Sequence, residues 1–289
     1  MIRKLLIALL LVGMTGAAPE TRKLVLIAGK QSHGPGDHEF RAGSLLLKKC
    51  LEKVPGLEVV VVSNGWPEDV KVFDGAAAIV CYADGGGGHP FLQGDRPKLI
   101  GDLAKKGIGI ACMHYGVEVP KDKGGPEFLE WIGGYYENAY SCNPMWSPDY
   151  QKFPDHPVAR GVKPFSTQDE WYISIRFRPE MKGVTSLLVA KPSDQVRKGP
   201  YVYPKGPYEH IVAASGQDET LMWCLERADG GRGFGFTGGH RHKNWANDNQ
   251  RKVVLNALLW LCKLEVPAGG VESAVTDEDL QQNLDPKKK

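Results

Sequence analysis

The run Val59-Val60-Val61-Val62 is the segment that most narrows what this chain can fold into. A strand with one wet face alternates apolar and polar residues, so four successive β-branched residues point to burial on both faces. The run sits in a strand predicted over Leu57–Val62, and comparable apolar runs recur at Leu24–Ala28, Ala76–Tyr82 and Ile108–Cys112. Helix-period segments fall among them at Glu39–Lys53 and Leu99–Lys105. Such alternation predicts a mainly parallel sheet with helices on both sides, a three-layer α/β sandwich. Further strands are expected at Ser186–Ala190, Ile211–Ala214, Leu221–Leu225 and Gly233–Thr237, with a closing helix at Trp245–Leu264. The stretch from Gly133 to Pro164 is rich in Tyr, Asn, Pro and Gly and predicts long ordered loops.

One domain over residues 20–266 accounts for these elements, although 289 residues would also suit two. Residues 267–289 form a C-terminal tail whose acids and terminal lysines suggest partial solvation. Residues 1–18 place Arg3 and Lys4 before an apolar run, Leu5–Met14, and then small residues. That order predicts a cleaved signal peptide and a periplasmic or secreted protein. The run is too short for stable membrane insertion, which takes about twenty apolar residues. With 36 Lys and Arg against 34 Asp and Glu, the net charge of +2 gives no nucleic-acid signal. Six cysteines in an exported chain invite disulfides, but Cys50, Cys81, Cys112 and Cys262 suit buried thiols. Cys142 and Cys224 are less constrained, and no Cys-x-x-Cys pair suggests a zinc knuckle.

Ligands of a parallel sheet gather beyond the carboxyl ends of its strands, and polar motifs fall there repeatedly. The turn His33-Gly-Pro-Gly-Asp37-His38-Glu39 offers metal ligands or an acid/base pair, unless Asp37 merely caps the next helix. Asp84-Gly-Gly-Gly-Gly-His89 suits close backbone approach to a ligand, or a flexible surface loop. Ile108-Gly-Ile-Ala-Cys112-Met113-His114 has the form of a nucleophile elbow, but with His114 at its apex. An imidazole there suits metal ligation or proton transfer, and a structural histidine is the plainer alternative. Asp169-Glu170-Trp171-Tyr172 pairs carboxylates with rings that suit a sugar's apolar face or a core. Gly238-Gly239-His240-Arg241-His242 returns two more imidazoles to the same edge.

Together and in this order, these motifs resemble the ThuA-like family, named after trehalose utilisation. The resemblance covers almost the whole predicted domain. It implies a flavodoxin-like core related to class I glutamine amidotransferase domains, and a link to carbohydrate use. Oxidised sugars, including 3-keto sugars, are the substrate class it suggests. Where an amidotransferase would carry its nucleophilic cysteine this chain has His114, which argues against thioester chemistry.

The leading expectation is a metal-assisted enzyme acting on a sugar or oxidised sugar by hydrolysis, elimination or isomerisation. His38, His114 and His240 are the candidate ligands of a divalent ion, zinc or another first-row metal. Glu39 or Glu170 would move a proton, with His114 and Asp169 completing the catalytic set. His33, His89, Trp171, Tyr172 and His242 are candidate substrate contacts. A nonenzymatic carbohydrate-binding or sensing protein is the alternative, and a metal-free hydrolase pairing Glu39 with Glu170 is a third reading.

Overall fold

The computed structural model describes residues 21–287, so the signal-peptide expectation lies outside the described residues. Seven strands form one sheet: β1 (Arg22–Ala28), β2 (Leu57–Val62), β3 (Ala76–Tyr82), β4 (Gly109–Met113), β5 (Val184–Ala190), β6 (Glu219–Glu226) and β7 (Arg232–Phe236). Their order is β2-β1-β3-β4-β7-β6-β5. The first five in that order are parallel, and β6 runs antiparallel to both of its neighbours. This is a three-layer α/β sandwich with a mixed, mainly parallel sheet.

Helices α1 (Phe40–Leu51) and α4 (Asp248–Leu261) cover one face, and α2 (Arg96–Lys105) and α3 (Gly125–Trp131) cover the other. The side chains of β1 show why the strands lack polar alternation. Leu24, Leu26 and Ala28 enter one core while Val25 and Ile27 enter the opposite one. Each buried Leu, Val or Ile contributes roughly 1.5–3 kcal/mol.

Two expectations are corrected. The Val59–Val62 run lies on the edge strand β2, where its residues are only half-buried. Strict two-faced burial belongs instead to β1, β3 and β4. The strand expected at Ile211–Ala214 is a short helix, Glu209–Ala213, with Ile211 alone fully buried. A short apolar run does not distinguish one helical turn from a strand, and one buried residue in four suits the turn.

The tail is folded against the domain. After α4 it crosses α1 and forms α5 (Asp277–Gln281), opened by a capping box between Thr276 and Asp279. Leu280 is buried, Asp279 pairs with Lys49 at 2.5 Å, and the Lys287 side chain is only 2% exposed. Above the carboxyl ends of the parallel strands, two small ladders organise the long loops. Met145–Trp146 pairs with Asp169–Glu170, and Gly134–Tyr135 with Arg176–Phe177.

Candidate metal centre

Three imidazoles and a carboxylate converge where β1, β3, β4 and β7 end. His114 follows β4 directly and opens a 3-10 turn, His114–Val117, with φ +51°. His38 has φ +51° and His33 φ +56° on the loop after β1. Left-handed backbone is uncommon for side chains other than Gly, Asn and Asp, and persists where the surroundings over-determine it. His240 follows Gly239, whose φ of +104° makes the turn, and the Tyr82 hydroxyl donates to the Gly239 carbonyl. Glu170 comes from the overlying ladder.

The inward nitrogens lie close together. His38 Nε2 is 3.0 Å from both His114 Nε2 and His240 Nδ1. Glu170 Oε2 is 2.7 Å from His240 Nδ1 and 3.6 Å from His114 Nε2. All four residues are buried. Each imidazole is also oriented from behind. His38 Nδ1 meets Asp84 at 3.0 Å, His114 Nδ1 meets the Thr237 carbonyl at 3.0 Å, and His240 Nε2 meets Asp37 at 3.5 Å. Such partners are how metal-binding histidines are commonly oriented.

Proton counting tests the fit. The Thr237 carbonyl can only accept, so His114 carries its proton on Nδ1 and turns the Nε2 lone pair inward. Burial, aided by the neighbouring His38 and His240, holds the His114 pKa well below the usual histidine value. Burial likewise pushes His38 down to about 2, with His33 and His240 adding to the effect. A neutral His38 has one proton. Given to Asp84, it leaves two lone pairs facing each other at 3.0 Å; given to His114, it leaves a lone pair against a carboxylate. A cation at the inward nitrogens removes the conflict, and three imidazoles with a carboxylate suit first-row divalent ions. Burial opposes charge on His240, but hydrogen bonds with Asp37 and Glu170 outweigh it and raise its pKa to about 9.

The cluster lies beside a pocket of about 250 Å³ whose wall includes Tyr115, Tyr136, Tyr172 and Glu118. Tyr203, 73% exposed, stands at its rim. Burial, with the Glu170 charge second, lifts Glu118 to about 7.

Among the sequence candidates, His33, His38, Glu170, Tyr172 and His240 line this pocket, and His114 lies beneath them. The Tyr172 hydroxyl is 3.4 Å from His114 Nε2. His33 stacks on His38 with centroids 3.6 Å apart. Asp169 is fully buried and accepts the Gly239 and Arg241 N–H groups, so it shapes the loop that presents His240.

The other candidates sit elsewhere. Glu39 faces the tail: its oxygens accept from Gly36 and Asp285, and it pairs with Lys287. That separates it from the proton-moving role and from a paired-carboxylate site with Glu170. His89 is fully buried, accepting the Phe91 N–H and donating to the Gly116 carbonyl. Trp171 is fully buried, donates to the Thr167 carbonyl and packs edge-on against Phe236. His242 lies under the tail beside Leu280 and Leu284. These substrate-contact expectations fail because the His89 and Trp171 rings fill protein space, and His242 lines a separate pocket under the tail, away from the cluster.

Asp37 was legible as a helix cap, yet α1 has no side-chain cap and the carboxylate turns to His240. Glu118, Asn143, Tyr115, Tyr136 and Tyr203 were missed because single residues in irregular loops carry no periodic signal. Asn143 donates to Glu170 at 2.6 Å and accepts the Tyr203 N–H, joining the centre to the rim. Within the glycine run, Gly85 is held by protein contact, while Asp84 and Gly88 line a second pocket beside Trp66 and Arg96. A Cβ on Gly85 would meet the Tyr115 carbonyl at 2.1 Å, so this glycine lets the loop press on the turn bearing Tyr115 and Glu118. Cys112 is fully buried and its thiol pKa is raised well above the usual value by burial. It is no elbow nucleophile.

These features define an α/β protein with a buried three-histidine, one-carboxylate centre at the carboxyl edge of its sheet. The family model for ThuA, described as trehalose utilisation, matches residues 25–261. The chain therefore belongs to the ThuA family. Among solved structures it is similar to a ThuA-like protein from Bacteroides uniformis (TM-score 0.59, 16% identity, covering 84% of this chain and 92% of that one). A ThuA-like protein from Parabacteroides merdae gives TM-score 0.55 and 17% identity, covering 89% and 94%. At these identities the likeness shows the fold. No curated protein sequence matches significantly. Among the described residues, no helix is long and apolar enough to cross a membrane.

Proposed function

We propose that this protein is a metal-assisted enzyme acting on a sugar or an oxidised sugar, with 3-keto sugars the preferred class. The observation that carries the reading is the convergence of His38, His114, His240 and Glu170 beside a tyrosine-lined pocket. These four residues would hold a divalent ion, which supplies polarisation of a substrate carbonyl or hydroxyl oxygen when bound. Glu118 takes the proton, since burial keeps its pKa near neutrality, where a general base works best. Tyr115 and Tyr203 offer ring faces to the sugar, and Asn138 on the wall offers an amide to its hydroxyls.

Family membership and ring-lined walls support a carbohydrate substrate; hydrolysis, elimination and isomerisation remain within the same arrangement. The site is proposed to work outside the cytoplasm, on the strength of the order of residues 3–18. Amino-terminal sequencing of the protein recovered from the periplasm or medium tests that point; an intact Met1 would contradict it.

Turnover of 3-keto disaccharides, measured before and after chelation, tests the reaction. The expected result is activity lost with the metal and restored by one added ion. Full turnover in verified metal-free protein would sink it, whereas sugar binding without turnover in metal-loaded protein would favour a binding or sensing role.

A further inference from the structure

We propose that the carboxy-terminal tail is part of the centre, with Lys287 and Glu39 acting as positioning residues that clamp the loop bearing Asp37 and His38. The metal aspect rests on the function proposed above; the clamp itself does not.

The pair is unusual in its burial. Side chains of Lys287 and Glu39 are 2% and 1% exposed and lie 3.2 Å apart. Lysine is rarely buried to this degree, and a buried pair recovers little more than its own desolvation. Its place in the fold is the informative feature. Lys287 also donates to the Asp37 carbonyl, and the Asp37 carboxylate orients His240. Glu39 accepts the Gly36 N–H at 3.0 Å and, from the tail, the Asp285 N–H at 2.8 Å.

The same loop is stitched to the strand that presents His240. His38 N–H donates to the His240 carbonyl and His242 N–H to the Gly36 carbonyl, both at 2.9 Å. His38 keeps a left-handed backbone within this bracing. The tail is anchored on either side of the loop by Gln31 donating to Pro286 and Arg41 donating to Asn283. The family match covers residues 25–261, so the clamp joins Glu39 within the matched segment to Lys287 beyond it.

The test uses the full chain with Lys287→Met, Lys287→Arg and Lys49→Ala, the last removing a surface anchor of the same tail. Two readouts are taken: Zn²⁺ affinity by chelator competition, and amide exchange at residues 36–39 in zinc-free protein. Lys287→Met is expected to weaken zinc binding roughly 10–100-fold, as loss of a supporting partner does, and to speed exchange at residues 36–39. Lys287→Arg is expected to restore both readouts, and Lys49→Ala to leave both as in the parent.

Unchanged exchange in Lys287→Met, or zinc affinity equal to the parent's, overturns the clamp while leaving the metal centre standing. A parent chain that takes no zinc, with exchange still accelerated in Lys287→Met, supports the clamp and removes zinc as the ion. If Lys287→Met does not fold, Glu39→Gln/Lys287→Met leaves no unpaired charge and carries the same expectations.

Discussion

Two buried polar clusters occupy opposite edges of the sheet, and they are built on opposite logic. At the amino edge Arg227, 8% exposed, satisfies its donors completely. Its guanidinium meets Asp229 and the carbonyls of Trp131, Arg232, Ala104 and Ile108. Every donor meets an acceptor, and such a cluster ties strands and loops together. At the carboxyl edge the pairing does not close: wherever a neutral His38 carries its proton, a lone pair is left against His114 or against Asp84. Three backbone residues there, His33, His38 and His114, hold left-handed conformations. Saturated pairing marks a structural joint, whereas converging lone pairs on strained backbone mark a place prepared for a ligand.

Substitutions at the two clusters should diverge in kind. His114→Ala is expected to reduce turnover to background and abolish metal uptake, while costing the metal-free protein less stability than Arg227→Met. Arg227→Met should lose about 3 kcal/mol in denaturant unfolding, because several buried carbonyls lose their donor. Its metal affinity should equal the parent's. An Arg227→Met protein with parental stability would break the contrast from one side.

Glu118→Gln should lower kcat about 100-fold, the scale of a lost general base, with metal content retained. In the parent, activity rises with pH through a limb at or below about 7, since a cation near Glu170 draws the Glu118 pKa down from its metal-free value. Stability of the metal-free protein carries the opposite sign. A carboxyl raised by burial favours its protonated form in the folded state, so this contribution is present at low pH and fades as pH rises through about 7. Glu118→Gln should flatten both profiles; an unchanged activity limb would remove Glu118 from the chemistry. The mildest change is Asp84→Asn, which keeps a hydrogen-bonding group beside His38 and should weaken metal binding by roughly tenfold. No change in affinity would mean His38 does not need its carboxylate partner.

Much of the fold was readable because parallel strands buried on both faces write themselves as apolar runs. The error at Ile211–Ala214 shows the limit, since four apolar residues fit a turn of helix as well as a strand. The convergence of His38, His114 and His240 was also legible, because each lies in a loop that follows a strand, where a parallel sheet presents its site. Their partners were not. Asp37, Asp84 and Glu118 look like any loop acids, and only the folded chain shows which way each carboxylate turns. Glu39 misled for the same reason: beside His38 in sequence, it faces Lys287, some 250 positions on, and not the pocket.

Elemental analysis of the purified protein beside His114→Ala addresses the central claim most directly. The account predicts about one divalent first-row ion per chain in the parent and almost none in the variant. Equal metal content in the two proteins, or none in the parent after supplementation with candidate ions, would contradict it.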